Sequence, residues 1–359
     1  VSDRHDERAI YAGIGASDHV GGLCRNRRQN GCGNAYRAGS SGRAVAATRS
    51  RYRAMSRSEV ILFTGILILL GAGWGFTQPM TKLAVSTGYA HFGLIFWQLV
   101  IGTVLMAAIC TLRGIGLPLG MRHLRLYLAI AMIGTVVPNS FSYQAAVHLP
   151  SGILSLLLSM IPMLAFPIAL GLGLDRFEWR RFIGLGLGLA AVLLIVMPGQ
   201  EFSLNLPIIW VLAMLVVCAC YAFEGNYVAR WGTEGLNALQ VLYGASLVGT
   251  IIAFPLALGS GQWIDPRPPW GLPDLALIAS SVAHVLVYAG YVWLVGRAGP
   301  VFTVQVSYIV TLFGIMWARV LLGESYSATV WISLALMLVG MFLVQPRSTA
   351  KPEDRVAEP

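Results

Sequence analysis

Glu224 stands deep in an apolar run, in "CYAFEGNYV" (220–228), with Tyr221, Phe223, Gly225 and Asn226 around it. A carboxylate at membrane depth is costly, so its presence points to a function such as binding a cation or exchanging a proton. The competing reading is a helix anchor paired with a basic neighbour such as Lys82 or Arg230. His284, Tyr288 and Tyr291 fall about one turn apart on a helical face, which suits a polar or aromatic wall for an organic solute. A satisfied interior histidine is the alternative there. "PNSFSYQ" (138–144) combines a proline, which frees a backbone carbonyl, with the neutral groups of Asn139 and Gln144. Trp74 and Phe76 in "GWGF" (73–76), Gln98 in "FWQLVIG" (96–102), and Ser155, Gln305 and Tyr308 complete the candidate set. Hydroxyls and amides between helices serve either as cavity lining or as packing glue.

Catalytic chemistry finds no footing. The chain has no P-loop, HExxH or GxSxG, and no paired carboxylates on one helix, so neither an enzyme nor an ATP-driven machine is expected. Its five cysteines show no CxxC spacing, and neither a metal site nor a cofactor is expected.

The elements that must carry these residues follow from composition. The chain has 359 residues, 56% hydrophobic and 11% charged. A soluble globular chain carries roughly 25% charge, so this one reads as an all-α polytopic membrane protein with the lipid bilayer as its partner. The formal charge of +9 does not point to nucleic acid. Ten of the 25 basic residues precede Met55, and most others sit in short loops.

A bilayer core of about 30 Å needs about 20 apolar residues per helix. Ten segments qualify or nearly so: 60–78, 91–112, 124–147, 152–174, 182–198, 207–229, 238–258, 275–296, 301–322 and 328–344. Residues 1–59 form a basic head expected to be disordered. Met55-Ser56-Arg57 reads as an alternative start, which would make the head an over-extended reading frame; a lipid-binding arm is the other reading. Residues 199–206 read as a linker and 345–359 as a tail. From Met55 onward, only Lys82, Arg267 and Arg319 fall on the side opposite the remaining basic residues, which predicts cytoplasmic termini. Lys82 itself is expected either to snorkel to the interface or to face the mouth of a cavity.

The two halves repeat. Pro150 matches Pro300, "GWGF" (73–76) overlies "CYAF" (220–223), and with one gap Asp175 falls on Glu324 and Phe177 on Tyr326. These matches place the first repeat at 60–198 and the second at 207–344. Five helices per repeat force the second copy to enter from the opposite side, an arrangement that suits two related halves rocking about one midplane site. A non-transporting membrane scaffold or receptor is the alternative, and it has no need of that symmetry. The patterns Gly71-x-x-x-Gly75 and Gly184-x-x-x-Gly188 are expected to pack helices closely, with a homodimer interface as the minority reading.

Across roughly residues 60–344 the chain resembles the drug/metabolite transporter superfamily of the EamA type. The resemblance is carried by "WGFTQPMTKLA" (74–84), by 146–196, and by 296–344 with its "LGE" turn at 322–324. It implies ten helices in two inverted EamA repeats and the movement of a small-molecule substrate, a metabolite or drug, across the bacterial inner membrane, with export the implied direction. Two departures stand out: Gln98 where the family often carries Arg, and Asp175 where the turn usually carries Glu.

Overall fold

A computed structural model describes residues 57–196 and 207–345. The head before residue 57, including Cys24 and Cys32, the 199–206 linker, and the tail beyond 345 lie outside the described residues. Within them the chain is helical and contains no strand. Apolar segments in lipid must satisfy every backbone group internally, and helices do so within one segment.

The first repeat comprises α1 (Arg57–Ala84), α2 (His91–Leu112), α3 (Met121–Ala131), a π turn (Met132–Val136), α4 (Val137–His148), α5 (Ser151–Leu158), α6 (Met160–Gly171) and α7 (Trp179–Val196). The second comprises α8 (Ile208–Trp231), α9 (Ala238–Gly259), α10 (Leu272–Ala298), α11 (Pro300–Thr303), α12 (Val306–Leu322) and α13 (Ala328–Val344). Taking α3–α4 and α5–α6 as continuous, eight helices among the described residues are long and apolar enough to cross a membrane, and α12 and α13 are shorter apolar helices that bring the described set to ten. The first helix runs beyond the apolar stretch 60–78, so Lys82 is in its last turn.

Two interruptions have local causes. Pro138 has no N–H to return to the Gly134 carbonyl, and the backbone widens into the π turn just before it. Pro162 likewise cannot donate to Leu158, and the fourth segment breaks at Ser159 between α5 and α6. In the second repeat the matching break comes earlier, at Val304–Gln305, after a single helical turn.

Helices pair across the repeats in matched fashion. The second helices meet (α2 with α9), as do the fourth (α5 with α12) and the fifth (α7 with α13). The first helix of each repeat packs against the third of the other, α1 on α10 and α8 on α4. This reciprocity is what a two-fold relation between inverted halves requires.

Glycines set the closest approaches. A Cβ on Gly184 would lie 2.7 Å from the Gly340 carbonyl, and one on Gly340 2.8 Å from that of Gly184. A Cβ on Gly75 would lie 2.7 Å from the Gly314 nitrogen, where α1 crosses α12. Gly71 meets Ile309 and Gly188 meets Met163, so both glycine patterns serve packing within the chain. Replacing Gly75 with Leu must push α1 off α12. It should destabilise the fold by about 1–3 kcal/mol, read as a lower unfolding temperature in detergent; an unchanged temperature would contradict the close crossing.

Candidate functional site

Between the two repeats lies a cavity of about 450 Å³. Its wall is built from helical stripes. On α1, Trp74, Thr77, Gln78 and Thr81 recur at i, i+3, i+4 and i+7, one face of an otherwise apolar helix. Asn139, Ser142 and Tyr143 do the same on α4, and Ser280, His284 and Tyr291 on α10. Where Pro162 breaks the helix, Leu158, Ser159 and Ile161 reach the cavity, and Ser307 and Thr311 come from the start of α12.

One end of the wall is aromatic. The Trp74 ring lies 5.3 Å from that of Tyr291 and 6.3 Å from that of His284, both tilted. The other side is a neutral hydrogen-bond network spanning three helices. Tyr143 Oη donates to Gln98 Oε1 at 2.8 Å and Asn139 Nδ2 donates to the same oxygen at 3.0 Å. Tyr221 Oη donates to Asn139 Oδ1 at 3.0 Å. The Gln98 carbonyl is therefore occupied by two donors, which leaves its NH₂ as the end available to a solute. Among the described residues, no lysine, arginine, aspartate or glutamate lines the cavity.

Glu224 sits at its margin. Its carboxyl rests on the π turn, where a Cβ on Gly134 would lie 2.5 Å from the carboxyl carbon. Gly134 itself lines the cavity. Only a residue without a side chain lets the acid approach this closely, so the widened turn and the glycine together make room for it.

The structure thus brings together Trp74, Gln98, Asn139 and His284 on the cavity wall, with Glu224 at its edge. It places the other candidates elsewhere. Phe76 lies against Trp317, edge to face at 5.9 Å. Gln144 donates back to the Ser140 carbonyl at 2.8 Å. Ser155 bonds the Ser151 carbonyl and packs on Gly314. Tyr288 is half-buried outside the lining set, Gln305 is exposed at the α11–α12 break, and Tyr308 belongs to the apolar core with its hydroxyl buried. Thr77, Gln78, Thr81 and Ser280 were not singled out from sequence, although their helical spacing from Trp74 and His284 was visible there. The match of Trp74 to Tyr221 between repeats has a structural counterpart, since both reach the cavity.

Lys82 does not line the cavity. Its Nζ donates to the carbonyls of Ala146 at 2.6 Å, Val147 at 3.1 Å and Leu149 at 3.0 Å, covering the C-terminal end of α4. A cation there meets both the unpaired carbonyls and the negative end of the helix dipole.

The model of the EamA-like transporter family matches residues 62–197 and 208–345. A "Probable terminal-alkyne amino-acid exporter" of Streptantibioticus cattleyicolor is 23% identical over 297 residues, covering 80% of this chain and 95% of that protein. A crystal structure with 19% sequence identity superposes with a TM-score of 0.52, over 80% of this chain and 98% of the other. That likeness concerns the fold alone.

Lys82→Met should remove three hydrogen bonds from the end of α4 and lower stability by about 1.5–3 kcal/mol. Lys82→Arg should recover most of this loss in the same detergent unfolding measurement. Equal stability of all three proteins would contradict the capping role.

Proposed function

The chain belongs to the EamA-like transporter family, and on that premise we propose that it is a secondary transporter moving a small organic solute through the Trp74–His284 cavity. The observation that carries this reading is the cavity itself: about 450 Å³, walled by helices of both repeats and lined by neutral polar groups. Volumes of this order hold a drug-sized or smaller molecule. The reciprocal helix pairing supports alternating access, because two matched halves give two near-equivalent open states. The exporter name of the Streptantibioticus relative supports efflux as the direction. The distribution of basic residues supports an inner-membrane protein with both termini in the cytoplasm.

The wall's chemistry narrows the solute. With no fixed cation on the lining, a net anion has nothing to replace its lost hydration. The three rings suit a flat or apolar portion, and the NH₂ of Gln98 suits an acceptor group. A neutral or zwitterionic metabolite, such as an amino acid with an apolar side chain, meets these terms. Glu224 supplies the group that exchanges a proton as the cavity changes sides, since a membrane-embedded acid beside a solute site can alternate between charged and neutral forms.

Flux of radiolabelled neutral amino acids, organic cations and organic anions in proteoliposomes tests this. Neutral amino acids should move faster under a pH gradient, and the anions should not move. Glu224→Gln should abolish the response to the gradient; a normal response would remove the acid from the mechanism. Trp74→Ala should lower flux at limiting substrate about tenfold, the value of one well-placed aromatic contact.

A further inference from the structure

The turn between α4 and α5 is bracketed by two charges from different parts of the chain. Lys82 covers the carbonyls that end α4. Glu324, from the second repeat, covers the start of α5: its Oε1 accepts from the Ser151 N–H at 2.8 Å and its Oε2 from the Gly152 N–H at 3.1 Å. The Tyr326 hydroxyl donates to the same carboxylate. Any side chain on Gly152 would collide with that hydroxyl, so the site is shaped for this contact. Gly323, at φ 67° in the left-handed region, ends α12 and turns the chain back so that Glu324 can reach α5. Just below, Ser155 packs on Gly314, so α5 and α12 are closed against each other along this end of the cavity.

The sequence match makes Asp175 the counterpart of Glu324, and Pro300 that of Pro150. If both ends were in the same state, Asp175 would lie on the backbone just after Pro300. It does not. Its Oδ2 is held by Arg181, and its Oδ1 accepts from the Arg176 N–H at 2.8 Å. Arg181 also donates to the Val344 carbonyl at 2.8 Å, so it is anchored on α13. Among the described residues no hydrogen bond joins Asp175 to α11. Two matched acids thus occupy unmatched positions. One clasps the opposite repeat, and the other rests within its own.

We propose that Glu324 and Asp175 are alternating positioning residues of the transport cycle, each closing one end of the cavity by clasping the start of the other repeat's fourth segment. In the state described, Glu324 holds its end shut. In the opposite state Glu324 leaves Ser151 and Gly152, while Asp175 leaves Arg181 and engages the backbone after Pro300. Lys82 stays in place through both states, because its counterpart in the repeat match is Ala229 and the second repeat has no equivalent ammonium.

The proposal rests on the alternating-access reading, and its test needs no substrate. Ser280→Cys on the cavity wall, in the full chain freed of its native cysteines, reports access from each side to a membrane-impermeant maleimide. Ser260→Cys, at the Glu324 end, calibrates which side faces out in the vesicles. Glu324→Gln should raise labelling from the Glu324 end about fivefold, the effect of losing one charged cap. Asp175→Asn should lower labelling from that end, and the double variant should return towards the parent. Opposite signs separate a clasp from a general loosening of the fold. Tyr326→Phe keeps the carboxylate and should shift labelling as Glu324→Gln does, by a smaller factor, which covers the case where the charge variants fold poorly. Single variants that shift labelling in the same direction, or not at all, would overturn the proposal. Shifts of the expected signs without any solute flux would leave the clasp standing and remove the transport reading instead.

Discussion

Two helices end head to tail at Leu149–Pro150, and the rest of the molecule depends on how their loose ends are satisfied. A helix terminus leaves up to four carbonyls or N–H groups without partners, and lipid offers none. Lys82 and Glu324 provide them here, one ammonium for the outgoing carbonyls and one carboxylate for the incoming N–H groups. Because Glu324 belongs to the second repeat, this local requirement also ties the halves together. It fixes where α5 starts, and Pro162 then breaks the backbone at Ser159, where the segment opens towards the cavity.

Close helix crossings do the complementary work. Gly75 on Gly314 and Gly184 on Gly340 bring backbones near enough that no side chain separates them. In lipid, where apolar surface gains little from mere burial against another helix, such fit is a main source of association. The two crossings involve α1 with α12 and α7 with α13, so each spans the repeats. Where the cavity lies, the facing stripes of α1, α4 and α10 carry hydroxyls, amides and rings.

The cavity wall is neutral by construction. Gln98, Asn139, Tyr143 and Tyr221 bond one another, and this fixes the orientation of the Gln98 amide, with its carbonyl turned to Asn139 and Tyr143. At Gln98 the chain therefore presents an amide whose carbonyl is already engaged. The carboxyl of Glu224 is set back behind Gly134, beside the cavity but not part of its wall.

Composition, segment length and the repeat match determined a great deal unaided: a ten-helix membrane protein with two inverted halves, and four wall residues (Trp74, Gln98, Asn139 and His284). They did so because burial in lipid leaves its mark on every residue of a segment, and because inversion follows from an odd number of crossings. The faces of the helices were another matter. In helices apolar nearly all round, Phe76 and Trp74 are indistinguishable by type, yet one packs on Trp317 and the other lines the cavity. Lys82 shows the same limit. An ammonium near a helix end reads as a snorkelling group, and only the arrival of α4 beside α1 supplies the three carbonyls to which it donates. What tertiary structure alone decided were the contacts between segments more than 60 residues apart, since those depend on where two rigid helices happen to end, not on the residues within either.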